Sequence, residues 1–259
     1  MASEAHALPE IVTAGKARAE SLAIASYNIH SGVGMDRRRN AARIAQVLKE
    51  LDCDIYALQE VDNQPGVHEE SMQLEYLSRV MEMAAVPGLR IVRHTGEYGN
   101  ALLTRLPIVS VHRHDLSCSR WEPRGAVDVK LNLEEGAPLR VIATHLGLSR
   151  SERRIQWLRL LAAIAEAGPD LPTVLLGDMN EWYRPSATLQ EAHRVFGQPP
   201  APVAFPSFAP CLALTRIWVR PLQALRSLQV HRSPLARKAS DHLPVKAVID
   251  VGKMKRATA

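Results

Sequence analysis

Polar side chains cluster at five places in this 259-residue sequence, each at the start or end of an apolar run. The clusters read YNIH (27–30), LQEVD (58–62), ATHLG (143–147), LLGDMNEW (175–182) and SDH (240–242). Short apolar runs predict buried strands, and side chains at strand ends line the crevice where layered α/β proteins bind ligands. Each cluster alone has a structural explanation, such as a turn, a cap or a buried hydrogen-bonded histidine. Five together indicate a functional site.

The residue types in these clusters suit metal-assisted attack of water on a phosphodiester. Glu60, with Asn28 and Asp241, offers the hard oxygen ligands that Mg²⁺ or Mn²⁺ prefers. Such an ion offsets the negative charge that develops on the phosphoryl group and on its leaving oxygen. The sequence therefore predicts a divalent-cation site formed by these three residues.

The remaining residues of the clusters have the chemistry to act on water and phosphate. Asp178 can orient or deprotonate the attacking water, and Asn180 can hydrogen-bond that water or a phosphoryl oxygen. His145 and His242 can donate charged hydrogen bonds to the non-bridging oxygens. A histidine paired with a carboxylate can also serve as the general base.

The elements that must position these residues alternate between short β-like runs and helical patterns. We expect strands over 22–28, 53–59, 89–93, 100–105, 108–114, 125–131, 139–145, 171–178, 214–219, 227–230 and 243–251. We expect helices over 36–50, capped by Asp36, over 69–83 and over 149–167, the last stopped by Gly168-Pro169. This mixed order predicts two mixed sheets packed face to face with flanking helices, a four-layer α/β/β/α sandwich.

Composition and length set the broad class. We expect one domain over 21–252, preceded by a loose arm (1–20) and followed by a basic tail (253–259). Three cysteines without a CxxC pair argue against a disulfide framework or a zinc ribbon and favour a reducing cytoplasm. No apolar stretch approaches the ~20 residues of a membrane span, so we expect no stable membrane insertion. We expect a monomer.

Charge favours a phosphate-bearing partner. The formal net charge is +5, and 25 of the 32 basic residues are arginine, whose planar fork suits phosphate. Nucleic acid is therefore the favoured substrate, although the sequence has only twelve aromatic residues and no basic stripe interleaved with them.

At these residues the sequence resembles the endonuclease/exonuclease/phosphatase superfamily, which has the deoxyribonuclease-I-like fold, and in particular a small bacterial branch of it. The resemblance extends over about 22–250 and rests on SYNIHSG, LQEVD, GNALLTRLPI, RGAV, THLGLSRSERRIQ, GDMNEW, FPSFAP…LTRIWV and SDHLPV. LQE, GDxN and SDH are specific in combination, whereas any one alone is weak.

The resemblance implies a role for each matching residue. It places Asn28, Glu60 and Asp241 at the family's metal site, and Asp178 and Asn180 where the water is aligned and the pentavalent phosphorus is stabilised. It makes His242 the partner of the phosphate, a general base in many proposals, and His145 the THL histidine of the nuclease and sphingomyelinase branches. It adds two substrate-binding candidates: Asn100, which resembles a residue just behind the site, and Arg124, which is either a phosphate ligand or part of a structural ion pair.

Two positions depart from the family's pattern. The penultimate strand reads LTRIW instead of LDRIW, so Thr215 replaces the aspartate that orients the catalytic histidine. Threonine can accept a hydrogen bond from an imidazole but brings no charge, which puts His242 in doubt as a strong general base. His30 stands where abasic-site nucleases carry an aspartate. Two alternatives therefore stay open: a phospholipid or sphingomyelin-type phosphodiesterase, and a binding or regulatory module of the same fold with weakened catalysis.

Overall fold

The computed structural model describes residues 20–255, apart from residues 67, 94–95, 119–120, 134–135, 167, 169–170 and 184–185. Nearly all of the predicted arm (1–20) and the last residues of the predicted tail (253–259) lie outside the described residues. None of the described helices has the length and apolar character needed to cross a bilayer.

Two mixed β-sheets form the centre of the fold. The described strands are β1 (Ser21–Asn28), β2 (Ile55–Asn63), β3 (Ala84–Arg93), β4 (Gly96–Thr104), β5 (Ile108–Asp115), β6 (Gly125–Asn132), β7 (Pro138–His145), β8 (Thr173–Asp178), β9 (Thr215–Arg220), β10 (Leu225–Val230) and β11 (Val245–Asp250). The first sheet has the order β10-β11-β1-β2-β4-β3, and the second has the order β5-β6-β7-β8-β9.

Helices cover the outer faces of the sheets. They are α1 (Ala41–Leu51), α2 (Gln73–Met81), α3 (Arg150–Glu166), α4 (Ala187–Phe196), α5 (Pro234–Ala239) and α6 (Val251–Lys255). Alternation along β8 shows the layering: Val174 and Leu176 belong to the large core shared with the first sheet. Leu175, between them, packs with Trp157 of α3 in a second core. Strand side chains alternate between the two faces of a sheet, so one face of β8 packs on the first sheet and the other packs on helices. The expected two-sheet sandwich with flanking helices is therefore confirmed.

The helical expectations were less accurate than those for strands. Asn40, not Asp36, caps α1, because its side-chain oxygen accepts the backbone N–H of Arg43 at 2.6 Å. Asp36 forms an ion pair with the Arg43 guanidinium instead. Helices α4, α5 and α6 were not predicted from the sequence, and the last two have only six and five residues.

Candidate active site

Parallel strand pairs, one in each sheet, bring the polar clusters together. In the second sheet β7 runs parallel to β8, which places His145 beside Asp178 at the carboxyl ends of both strands. In the first sheet β1 runs parallel to β2, with Asn28 beside Gln59. Asp178 continues the alternation of Val174 and Leu176, so it lies on the face that looks toward the other sheet. The candidate site therefore lies at the edge of the core between the sheets.

Asp178 is the hub of this site. Its Oδ2 accepts the side-chain amide of Asn28 at 3.1 Å, and its Oδ1 accepts the backbone N–H of Asn180 at 3.0 Å. The Nε2 atoms of His145 and His242 lie 3.8 and 3.6 Å from the same Oδ2. Burial by itself would raise the pKa of Asp178, but the two imidazoles and these hydrogen bonds hold it below its usual value. Asp178 is thus an anion.

The backbone around Asp178 explains the glycine and asparagine of the GDMN motif. Gly177 has a φ of +149°, and a Cβ there would lie 1.8 Å from the carbonyl oxygen of Thr144. Only glycine lets β8 approach β7 this closely. Asn180 has a φ of +48°, a left-handed conformation that asparagine tolerates better than most residues.

His145 is buried between hydrogen-bond donors. Its Nδ1 lies 3.2 Å from Nη1 of Arg124, and its Nε2 lies 3.0 Å from the amide nitrogen of Asn180. Burial is the main reason that the pKa of His145 falls to about 3, and Arg124 and His242 lower it further. His145 is therefore neutral, not the charged donor that the sequence suggested.

His242 has one ring nitrogen without a hydrogen-bond partner among the described residues. One face of its ring packs against Phe205, with the ring centroids 4.5 Å apart. Its Nδ1 is buried and makes no hydrogen bond to any described residue, and the same is true of the Thr215 hydroxyl. The hydrogen bond that Thr215 could accept from His242 is therefore not formed in this structure.

Glu60 projects toward the site from a bulge in β2. The pairing of β2 with β4 shifts between Leu58 and Val61, and Glu60 has a φ of +58°. Its Oε1 accepts the second hydrogen of the Asn28 amide at 2.8 Å. Burial raises the pKa of Glu60, and the negative charges of Asp241 and Asp178 add to that effect.

Asn28 joins the carboxylates of the two sheets. Its amide nitrogen donates to Glu60 and to Asp178, while its oxygen accepts the backbone N–H of His30 at 3.0 Å. Asn28 therefore holds the acidic groups in place, and its oxygen keeps one lone pair for a cation. Asp241 lies nearer the surface, with its Oδ1 3.7 Å from Nδ1 of His30.

The two residues expected to contact substrate take different positions. Arg124 lies at the site, where it contacts His145 and pairs with Glu122 at 3.1 Å. Asn100 is buried, and its amide donates to the carbonyl of Gly125 at 3.0 Å, which ties β4 to β6 next to Arg124. Asn100 thus supports the backbone beside the site.

Sequence reasoning missed three residues of the site. Tyr98, two residues before Asn100 on β4, forms a hydrogen bond with Glu60, and burial raises the pKa of its hydroxyl. Arg153 and Glu181 form a buried ion pair at 3.3 Å. Arg153 also donates to the carbonyl of Leu148 at 2.6 Å, so it connects the loop after His145 with the loop after Asp178. Two sequence features could have pointed to these residues. Tyr98 lies two positions before Asn100 and so on the same face of β4, and Arg153 belongs to the SERRIQ segment that follows the THL motif.

The fold is a sandwich of two mixed sheets in which Asn28, His145 and Asp178 lie at the ends of parallel strands. Further carboxylates and a second histidine are brought beside them from β2 and from the loop before β11, an arrangement typical of layered α/β phosphoesterases. The chain belongs to the Endonuclease/Exonuclease/phosphatase family, whose profile matches residues 25–242 and so takes in all five polar clusters. The family expected from the sequence is confirmed.

Several known proteins are similar to this chain. The uncharacterised protein YbhP of Escherichia coli K12 is 29% identical over 248 residues, which cover 88% of this chain and 96% of YbhP. Among solved structures, the mannosyl-6-phosphatase Bt3783 of Bacteroides thetaiotaomicron has a TM-score of 0.72 at 19% identity, covering 88% of this chain and 99% of that one. Truncated TDP2 of Caenorhabditis elegans has a TM-score of 0.66 at 18% identity, covering 89% and 97%. At these identities the structures support the fold alone.

Proposed function

We propose that this protein hydrolyses phosphodiester bonds with the help of Mg²⁺ or Mn²⁺ and that its substrate is nucleic acid. One observation carries the proposal: Asn28, His145 and His242 converge on Oδ2 of the buried anion Asp178. Glu60 lies on the other side of Asn28. A buried carboxylate surrounded by imidazoles and beside a second carboxylate suits water activation next to a phosphoryl group.

The donor set fits a hard divalent cation. The raised pKa of Glu60 reflects burial together with repulsion from Asp241 and Asp178, and a cation would relieve both effects. Among the described residues, no group of three or more His, Cys, Asp or Glu side chains has the spacing of a metal cage. Mg²⁺ does not require one, because it commonly uses one or two carboxylates and completes its shell with water and phosphate oxygens.

Glu60 and Asp241 would hold the cation, with the Asn28 oxygen as a further ligand. When bound, the cation supplies positive charge that offsets the negative charge growing on the phosphoryl oxygens. Asp178 is the residue placed to take the proton of the attacking water, because it remains ionised despite its burial. His242 presents Nε2 on the same side as Asp178 and can hydrogen-bond a phosphoryl oxygen.

His145 and Arg124 act as a unit beside Asp178. Nδ1 of the neutral His145 imidazole lies 3.2 Å from Nη1 of Arg124. The positive charge of this pair is therefore on the Arg124 guanidinium and not on the imidazole. A guanidinium in that position can orient a phosphate that approaches Asp178. The net charge of +5 and the 25 arginines favour a polyanionic substrate over a neutral lipid.

A metal-controlled substrate panel tests the proposal. The protein should hydrolyse bis-p-nitrophenyl phosphate with Mg²⁺ or Mn²⁺ and stop with EDTA, and Asp178→Asn should be the inactive control. The panel then compares DNA, RNA, sphingomyelin vesicles and mannose 6-phosphate, the last because one structural neighbour carries the name of a mannosyl-6-phosphatase.

Each result of the panel separates the candidate functions. Metal-dependent cleavage of DNA or RNA supports the proposal, whereas preferred turnover of sphingomyelin or of the monoester overturns the substrate class. No metal-dependent turnover of any substrate would overturn the proposed enzyme and leave the binding module, for which the unpartnered pair Thr215 and His242 is the supporting observation.

A further inference from the structure

Three aromatic rings lead from the buried site to the surface. The Phe205 ring lies 4.5 Å from the His242 ring at an interplanar angle of 40°. The Trp182 ring lies 5.6 Å from Phe205 in an edge-to-face arrangement of 80°. His242 is 6% exposed, whereas Trp182 is 42% exposed. Trp182 therefore presents an accessible aromatic surface that is continuous with the ring contacts of His242.

Buried polar contacts anchor the backbone that carries Trp182. The preceding residue, Glu181, is buried and accepts hydrogen bonds from Arg153 at 3.3 Å and from Ser186 at 2.7 Å. Phe205 is held by its backbone, which exchanges hydrogen bonds with Leu212 at 3.1 and 2.8 Å. The backbone that carries each ring is thus fixed, and the edge-to-face contact with Phe205 orients the indole. Both features lower the entropy cost of binding a ligand there.

An exposed indole next to a buried catalytic centre has a clear chemical use. Isolated exposed apolar side chains are ordinary, but a tryptophan that extends a line of packed rings out of an active site is informative. Aromatic faces bind nucleobases by stacking, with little dependence on base identity. The net charge of +5 opposes the alternative ligand, a cationic lipid head group.

We propose that Trp182 is a specificity-determining residue that stacks on the nucleobase attached, through its sugar, to the phosphate at Asp178. This inference rests on the proposed function, which supplies the phosphate position at Asp178. Binding of the base to Trp182 can nevertheless be measured without turnover. The ligand class is therefore a nucleotide, and a sugar phosphate without a base should lose the contact.

Calorimetry with two ligands that differ only in the base tests this proposal. Thymidine 5′-monophosphate should bind the wild-type protein, with Mg²⁺ present, about tenfold or more tighter than 2-deoxyribose 5-phosphate. Trp182→Ala should abolish that difference, and Trp182→Phe should keep most of it. The control is Tyr183→Ala, because Tyr183 is the next residue, is 64% exposed and should leave both affinities unchanged.

Four other binding results contradict the proposal. Equal wild-type affinity for the two ligands, or no measurable binding of either, would overturn it. An equal loss of both affinities in Trp182→Ala, with a lowered melting temperature, would show a structural role only. Tighter binding of phosphocholine than of the nucleotide would assign the surface to a lipid head group. A base preference in a protein that hydrolyses no phosphodiester would overturn the proposed function and leave this inference standing.

Discussion

Thr215 lies directly opposite Asp178 in the antiparallel pairing of β9 with β8. Opposed residues of neighbouring strands project from the same face of a sheet, so Thr215 shares the inner face with Asp178. Its hydroxyl is nevertheless buried without a hydrogen bond to any part of the chain that the structure describes, as is Nδ1 of His242. Thr215 is also the residue for which the resemblance described in the sequence analysis led us to expect an aspartate, so this departure places two unpartnered polar atoms in the core.

The first prediction concerns that departure. Thr215→Asp should raise activity at neutral pH and shift the pH–rate profile, because a carboxylate can accept the Nδ1–H of His242 and fix its ring. The measurement is the pH–rate profile together with the melting temperature of the same preparation. Thr215→Val keeps the shape and removes a buried hydroxyl that makes no hydrogen bond to a described residue. It should leave the pH–rate profile unchanged and should not lower the melting temperature.

The opposite result has a definite meaning. The new carboxylate would also lie beside Asp178, and a buried unpaired charge costs several kcal/mol. An aspartate variant that melts earlier and is no more active would show that another group orients His242. Thr215 would then contribute to packing and not to the orientation of His242.

Glu60→Gln should weaken Mn²⁺ binding by at least about tenfold and leave the fold intact. The variant keeps an oxygen for the Asn28 amide but removes one negative charge from the proposed cation site. Calorimetric titration with Mn²⁺ measures the effect, with Glu97→Gln, at an exposed position of β4, as the control. Unchanged Mn²⁺ affinity in the Glu60 variant would rule out this residue as a ligand.

Asp178→Asn should lower kcat by about 10²- to 10⁴-fold with little change in KM. Asparagine cannot take the proton of the attacking water, although it can still accept the backbone N–H of Asn180. Steady-state kinetics on bis-p-nitrophenyl phosphate separates the two constants. A raised KM with an unchanged kcat would make Asp178 a binding residue.

The buried neutral His145 predicts acid sensitivity of the fold. Its pKa is about 3 in the folded protein and near 6.5 when unfolded, so between these values only the unfolded chain binds the proton. This contribution to the free energy of unfolding is therefore complete above pH 6.5 and falls as the pH drops toward 3, by about 1.4 kcal/mol per pH unit at most.

Chemical denaturation between pH 4 and 7 tests this dependence. His145→Gln should flatten the curve relative to wild type, since glutamine does not titrate. The exposed His112, changed to Gln, should leave the slope as it is. A slope that is equal in wild type and in both variants would contradict the assignment of His145 as a neutral buried group.

The sequence alone determined the sandwich and the positions of its polar clusters. Apolar runs with polar ends are local patterns, and they located the strands that carry Asn28, His145 and Asp178 to within a few residues. Helix starts were less well determined, because several residues near a terminus can cap it. Both Asp36 and Asn40 precede α1 and could cap it. Only the hydrogen bond from the backbone N–H of Arg43 shows that Asn40 is the cap.

Tertiary structure decided which groups meet and in what charge state. Asn28 and Asp178 are 150 residues apart in the chain. They hydrogen-bond only because the two sheets pack face to face, which brings the ends of β1 and β8 together. The neutrality of His145 depends on burial and on Arg124, neither of which is visible in the THL motif. The ring contact of Trp182 with Phe205 likewise joins two loops whose spacing no local pattern encodes. Residue types and periodicity report local environment, whereas distances and desolvation arise only when the sheets pack.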